Sequence, residues 1–472
     1  MKKTKGSITI FSLLSLLLIS ASLFALLEGT RLQELRRVAK LQTETAIESV
    51  FARYNTCLWE RYHLLATENG MLSQQLFLYG NGKVSGETSL LQLTAEEIKI
   101  ENYTCLTDAG GKVFIQSIAS YMSDNWIYET AKEIYNLYEA MEYLLESSSI
   151  DRGDIETAIQ EIEEAQTEKT TRKLEKKSEA KALLEIAKSW MENGILELLI
   201  QDTKGLSKEE IDFQDSLLNR VLEKGTQDDE IEIGWKEKIL LQQYLITYLS
   251  HYQEEKQGRA LSYEIEYLIG AKTSDIENLT EVAIRLLSIR EAANCLYLIS
   301  SPEKMAQVES IALLIGGVSL NPVLYEVVKA GILATWALAE SILDVRALLA
   351  GERIPLLKSD ENWTSELEHL NEITNGYPKA ITSTWGLNYE DYLRVLLLMQ
   401  TQQKVAMRAM NIQEATVRDV YSDSSFRMDA LIVDAEATIT YSYRPIFPFL
   451  EVIHAEERWE YRIMGTKKYG YY

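Results

Sequence analysis

The chain holds 472 residues, 46% of them hydrophobic, enough to bury a large core in more than one packing unit. Only 6 prolines and 23 glycines are present, which favours long helices over a strand-rich sandwich, while 26 tyrosines and 8 tryptophans exclude a disordered chain. The formal net charge of −23 argues against a nucleic-acid partner, which needs a basic face; it fits a solvated acidic surface, with cation binding or repulsion from anionic lipid as sharper alternatives.

Residues 1–6 form a basic lead with Lys2, Lys3, Lys5 and no acid. Ser7 to Leu27 then runs for 21 residues without a charge. As a helix this spans about 31 Å, matching a hydrocarbon core of about 30 Å. A secretory signal has a shorter apolar region closed by a small-residue cleavage site. Ser20-Ala21-Ser22 resembles such a site, but apolar residues continue to Leu27. The expectation is a retained single-pass anchor in the cell membrane, contacting lipid through residues 7–27. Arg31, Arg36, Arg37 and Lys40 follow the span, partly offset by Glu28 and Glu34, so the positive-inside count is nearly balanced. The shortness of the lead favours a cytoplasmic N-terminus with the bulk of the chain extracytoplasmic. Ser12, Ser15, Ser20, Ala21, Ser22 and Ala25 give small surfaces for close approach of another membrane helix. Gly6-Ser7 also has the layout of a prepilin-type leader junction, cut directly before the apolar helix. The Glu that pilins carry five residues after the cut is Phe11 here.

Leu35, Val38, Ile47, Val50, Phe51, Tyr54 and Leu58 keep i, i+3, i+4 spacing, predicting that the anchor helix continues through residues 28–70 and stops at Asn69-Gly70. Residues 71–117 read as irregular, with turns at Gly80-Asn81-Gly82, Gly86 and Gly110-Gly111. Residues 118–194 are helical and hold an acidic-then-basic stretch with a thin apolar stripe of Ile155, Ile159 and Ile162. This predicts a charged helical hairpin, or one long helix, projecting from the body, with arms pairing across a turn near 167–171. Partner binding and simple solvation of that arm both stay open.

Residues 195–412 form the predicted helical core. A helix opens at Trp235, another is capped by Asp275 or Asn278, Pro302 starts a third, Pro322 a fourth, and a last one follows Trp385-Gly386. The charge-free run Ala330 to Ala339 is too short for a second span. Glu326, Glu340 and Asp344, with Arg346, are candidates for buried polar contacts. In residues 413–472 the period changes to two: Leu431, Val433, Ala435, Ala437, Ile439, Tyr441 and Tyr443 alternate with polar residues, as do Trp459, Tyr461 and Ile463. The chain is expected to end in an antiparallel pair, or a small sheet completed by a strand from elsewhere. The fold class is thus mainly α, α+β overall: a transmembrane helix running into a long helix, a helical bundle core, a charged hairpin and a small C-terminal antiparallel sheet.

Cys57, Cys105 and Cys295 include no Cys-x-x-Cys pair; separate buried thiols are expected, with a Cys57–Cys105 bridge as the alternative outside the cytoplasm. The four histidines, His63, His251, His369 and His454, sit in no zinc-protease motif, and neither a nucleophile elbow nor a P-loop occurs. The expectation is a non-enzymatic chain, with no catalytic residue, cofactor or metal assigned.

Several blocks carry a family resemblance: "KGSITIF", "LLEGTRLQ", "ESVFARYNTCLWERYHLL", "YEIEYLIGAKTSDIENL", "IREAANCLYL", "WALAESILDVRALLAGERIPLLKSDENW" and "GLNYEDYLRVLLLMQ". In combination the chain resembles a domain-of-unknown-function family of large single-anchor membrane proteins of Gram-positive bacteria, encoded beside Tad (tight adherence, Flp-type) pilus genes. The anchor is similar to that of TadE-type minor pseudopilins, whose post-membrane motif Glu28, Gly29 and Arg31 match with Thr30 inserted. The resemblance implies an accessory, pseudopilin-like component of a Tad-type pilus or secretion apparatus, acting by contact with other Tad proteins. The alternatives are a cell-surface interaction or sensor protein on a plain signal anchor and, more remotely, a cell-wall hydrolase.

Overall fold

The computed structural model describes residues 5–82, 91–125, 128–147, 152–164, 171–192, 194–200, 203–212, 215–226, 231–313, 322–376, 378–444 and 461–471. These divide into two compact units. The architecture is the expected one, mostly helical with a small antiparallel sheet.

The first unit takes Met1–Tyr121, Val221–Glu232 and Arg427–Tyr472. Helix α1 (Lys5–Phe51) runs unbroken for 47 residues. It is the one helix among the described residues long and apolar enough to cross a membrane, and none of its apolar window is buried. A single-pass anchor fits that segment. From Leu35 onward the same helix turns a stripe of Leu35, Val38, Ala39, Ala46, Ile47, Val50 and Phe51 into the unit's core. The stripe is the spacing read in the sequence, but the helix ends at Phe51 rather than near Asn69. Asn55 takes an extended backbone there and its side chain accepts the Leu58 N–H at 3.0 Å, capping a new helix, α2 (Thr56–Tyr62). With neither Pro nor Gly nearby, the cap alone breaks the run.

A four-stranded antiparallel sheet covers this stripe. Its centre is β3 (Leu431–Ser442), which buries Ala435, Ala437, Ile439 and Tyr441 as the alternation predicts. Strand β2 (Thr94–Cys105) pairs along one edge of β3; β1 (Thr67–Glu68) and β4 (Arg462–Gly470) pair with β3 at Leu431–Ile432 and at Asp434–Ser442. The strand from elsewhere is thus β2, inside the segment expected to be irregular. Three register shifts along the β2–β3 ladder explain the miss, because each bulge breaks the two-residue period. Residues 445–460, with Pro445, Pro448, His454 and Trp459, lie outside the described residues. Helix α3 (Leu72–Gly80) packs on α1, and α4 (Asp108–Tyr121) opens through Ala109, Gly110 and Gly111, all left-handed, which two adjacent glycines make accessible.

The second unit takes Met122–Arg220 and Ile233–Phe426 and is helical. Its centre is α13 (Pro322–Leu349), in which every residue from Gly331 to Val345 is buried. A mostly apolar helix buried all round is a core element. Around it pack α6 (Gly153–Glu164), α7 (Thr171–Glu192), α11 (Asp275–Ser300) and α12 (Pro302–Ala312). Helix α11 is capped by Ser274, which accepts the Glu277 N–H, and not by Asp275 or Asn278. Helices α6 and α7 pair, with Lys181 on Glu163 at 2.8 Å, as the charge segregation predicts; the turn at 165–170 lies outside the described residues. The hairpin does not project, however. Ile155, Ala158, Ile159 and Ile162 are buried, and α6 sits so close to α13 that a Cβ on Gly331 would lie 2.5 Å from the Ala158 Cβ. Helices α5 (Tyr128–Ser147), α8 (Ile195–Leu199), α9 (Trp235–Tyr248) and α10 (Glu264–Gly270) fill the rest. The last expected helix is two, α14 (Tyr389–Leu398) and α15 (Gln402–Tyr421), because the Gln402 side chain donates to the Leu397 and Gln400 carbonyls and closes α14.

The sheet approaches the anchor helix closely at Gly465 on β4, where an added Cβ would lie 2.3 Å from the Thr43 hydroxyl and 2.7 Å from the Ala39 carbonyl. Gly465→Ala is expected to destabilise the first unit by about 2 kcal/mol or more, because a backbone carbonyl cannot step aside. Gly29→Ala, with nothing within 4 Å of the new methyl, should instead leave stability unchanged or raise it by up to about 1 kcal/mol. Chemical unfolding of both variants in detergent micelles separates the two outcomes.

Candidate functional site

The post-membrane motif forms a clamp. Arg31 lies one turn beyond Glu28 on α1, and its Nη1 meets the Glu28 carboxylate at 2.9 Å. Its Nη2 donates to the Arg444 carbonyl at 2.6 Å, just past the end of β3. The guanidinium also stands 5.7 Å from the centre of the Tyr443 ring. The Arg31 side chain is 8% exposed and that of Glu28 16%, so the charges are largely out of water. Burial, and then the Glu28 charge, push the Tyr443 hydroxyl above its ordinary pKa. The motif therefore ties the membrane edge of α1 to the end of the central strand. Gly29, between them, meets nothing.

The other residues singled out in the anchor lie on the part of α1 that the sheet does not cover. Gly6 and Ser7 lie in the first turn of α1. Ser12, Ala21, Ser22 and Ala25 are exposed, Ser15 and Ser20 half-exposed. The Ser22 hydroxyl is satisfied by the Leu18 carbonyl at 2.9 Å. At roughly 100° per residue, Ser15, Ala21, Ser22, Ala25 and Gly29 fall within an arc of about 120°, and Ser20 falls on the opposite side. Most of the small residues thus make one stripe, with Gly29 joining it and both Ser12 and Ser20 falling outside it.

The second unit buries a neutral group of four charges. Arg290 on α11 meets Asp344 on α13 at 2.8 Å, and Lys358 meets both Asp344, at 2.6 Å, and Glu340. All four side chains are fully buried. Every guanidinium donor is used: on Asp344, Asn294, the Tyr392 hydroxyl and the carbonyls of Pro355 and Leu356. Glu340 accepts the N–H groups of Thr364 and Ser365. Burial would raise the Asp344 pKa; Arg290 and Lys358 outweigh it and hold the carboxyl below its ordinary range. The group fastens the 355–365 segment to α11 and α13. Glu340 and Asp344 were readable as buried polar residues; their partners Arg290 and Lys358 were not, since they lie far away in sequence. Arg346 instead donates to the Leu198 and Ile373 carbonyls.

Residues 173–443, more than half of the chain, match the model of a family of unknown function, DUF5702. The chain belongs to this family. No curated protein and no solved structure matches it. The DUF5702 region contains α8 to α15, the buried charge group and strand β3, but not the anchor.

Within the DUF5702 region the three cysteines reduce to one, Cys295. All three are free and buried. Burial pushes the Cys105 thiol up to about 12 and the Cys295 thiol up to about 11, so neither is a nucleophile at neutral pH. A second perturbed acid, Glu266 on α10, accepts the Tyr389 hydroxyl at 2.6 Å and the Tyr252 N–H at 2.9 Å, while its Oε2 is buried without a partner. Burial pushes its pKa up to about 7 against those two hydrogen bonds. Among the described residues one His-and-acid group converges closely enough to hold a metal: His251, Glu254 and Glu390.

Two expectations follow from these groups. Arg31→Ala should cost about 1–3 kcal/mol and speed hydrogen exchange at 433–443, because it leaves a half-buried Glu28 and a carbonyl unpaired. Arg37→Ala, whose pair with Glu34 is exposed, should change stability by less than about 0.5 kcal/mol. Glu266 holds its proton more tightly folded than unfolded, so its contribution is complete below pH ~4.5 and is lost as pH rises through ~7, a loss of about 3 kcal/mol. Urea unfolding at pH 5 and pH 7.5 should therefore show wild type losing more stability with rising pH than Glu266→Gln does.

Proposed function

We propose that the protein is a membrane-anchored, pseudopilin-like accessory component of a Tad-type pilus or secretion apparatus, with its N-terminus cytoplasmic and its bulk outside. The carrying observation is the continuity of α1: one helix supplies an unburied 21-residue apolar segment and the core stripe of a folded unit. Such a helix transmits position without a flexible linker. A neighbour packed against the Ser15, Ala21, Ser22, Ala25 and Gly29 stripe would fix the orientation of the sheet, clamped to the same helix by Arg31. Small residues at these spacings allow the close backbone approach on which helix association in lipid depends, where apolar burial supplies no driving force. The acidic surface keeps the body soluble. Membership of the protein in Gram-positive Tad gene neighbourhoods, and trimming at Gly6-Ser7, belong to the same proposal. Phe11, in place of a pilin Glu, favours the second reading: a surface interaction protein on a plain signal anchor.

The test is a photo-crosslinking residue placed at Ala25, on the stripe, or at Ser20, opposite it, in cells assembling the pilus. Adducts to pilus or pseudopilin subunits from position 25 and not from position 20 are expected. Equal labelling from both positions, or lipid adducts alone, would favour the plain anchor. A mature N-terminus at Ser7 supports leader processing; an intact Met1 or Lys2 start removes it.

A further inference from the structure

We infer that His251, Glu254 and Glu390 form a binding site for a divalent cation of the zinc class, which would staple the α9–α10 connection to the start of α14. The connection turns tightly after α9. The His251 N–H donates to the Glu254 carbonyl at 3.1 Å and the Glu254 N–H returns to the His251 carbonyl at 2.9 Å. Such a narrow antiparallel pair puts both side chains on one face of the turn. Glu390 comes from the first turn of α14, whose end is fixed by an Asn388–Asp391 capping box. One ligand atom from each of the three residues lies within 4.8 Å of the others.

The second observation is the state of the imidazole. His251 is 1% exposed, and its Nε2 is buried with no hydrogen-bond partner. Glu390 Oε1 is 3.8 Å away, beyond hydrogen-bond range. Two donor atoms on a tetrahedral zinc stand roughly 3.4 Å apart for bonds of about 2.1 Å. The existing gap is thus short of a hydrogen bond's closeness and near a shared metal's. Burial holds the imidazole pKa down to about 4, so the ring is neutral and bears a lone pair at neutral pH.

The surroundings set the limits on affinity. The Gln253 N–H points at Nδ1 from 3.3 Å, so coordination through Nε2 moves the ring proton to Nδ1 and gives up that long contact. Lys256 stands 3.6 Å from Glu254, and Arg394 stands 3.9 Å from Glu390. Both are loose pairs, and a dication displaces neither carboxylate from its position. The Glu254 and Glu390 side chains are 60% and 36% exposed, which leaves an entry path and room for water as the remaining ligand. One imidazole nitrogen with two carboxylates suits Zn²⁺ and its neighbours in the first row; Ca²⁺ and Mg²⁺ favour all-oxygen sets.

The full chain in detergent, stripped with EDTA, is titrated with Zn²⁺ by calorimetry and with Co²⁺ by visible absorption. One equivalent should bind, with the intense d–d bands of a four-coordinate site, and His251→Gln or Glu390→Gln should weaken it by about 100-fold or more. Circular dichroism of the stripped variants checks that they fold; Glu390, at the surface edge, is the substitution the fold tolerates best. His369→Gln, in the exposed His369–Glu366–Glu372 group, should leave binding unchanged. No saturable binding in the stripped wild type, or binding retained in Glu390→Gln and lost in His369→Gln, overturns the assignment.

Discussion

Helix α1 joins a segment long and apolar enough to cross a membrane to a stripe that packs a folded unit, and the packing of the first unit follows from how it does so. A helix is the element that can leave water without stranding backbone groups, since each N–H and C=O finds its partner within the segment. The backbone of the apolar part of α1 therefore needs nothing from the rest of the chain, and none of its apolar window is buried. The outer part must present a face narrow enough for a sheet to approach. Ala39, Ala46 and Gly465 supply the thinness, and the residues around them supply the grip: the Tyr441 hydroxyl on Thr43 at 3.1 Å, Lys467 on Glu44, and the Tyr471 hydroxyl on the Phe51 carbonyl. Arg31 holds one end and the Phe51, Tyr469 and Tyr471 rings hold the other. The grip extends over about 30 Å of helix, so the sheet cannot swing about the membrane edge.

The helical unit solves a different problem. Its core is wide, and it buries charges within it. Burying four is tolerable because they sum to zero and because Asn294, Tyr392 and main-chain groups add hydrogen bonds to Arg290, Asp344 and Glu340. An apolar replacement of the whole group would be as stable on general grounds. What the charges add is placement: Arg290 and Glu340 between them reach main-chain atoms of Pro355, Leu356, Thr364 and Ser365, and so order a segment with no regular secondary structure of its own up to that point. Nearby, Trp336 and Trp363 both donate to the Ser365 carbonyl, and Lys304 lies 4.9 Å over the Trp336 ring.

Local pattern carried most of the helices and one strand. The α1 stripe, the Pro322 start of α13 and the alternation of β3 were legible because each depends on spacing within a single segment. The misses share a cause as well. Asn55 ends α1 by a cap that competes with propagation, Ser274 takes the α11 cap from an acid, Asp275, and an amide, Asn278, that turn elsewhere, and Gln402 splits α14 from α15 by folding back onto carbonyls. Each is a side chain choosing one backbone group over another, which no periodicity records. Strand β2 was hidden by its own bulges. Of the candidate sites, Glu28 and Arg31 were singled out by the resemblance of the post-membrane motif, and one helical turn joins them; His251 and Glu390 were not legible, because only the fold brings the α9–α10 turn to α14.

The extent of the family match bears on how the two units depend on each other in sequence. It ends at residue 443, so it includes all of β3. The three strands that pair with β3, at 67–68, 94–105 and 462–470, fall outside it. A strand of that length cannot stand with both edges unpaired, and the face carrying Ala435, Ala437, Ile439 and Tyr441 needs the α1 stripe against it. The matched region is therefore incomplete as a folding unit. The segment preceding it has to supply β2 and α1, and α1 brings with it the apolar segment that fits a membrane anchor. That segment is not an appendage; it belongs to the same helix that packs against the sheet.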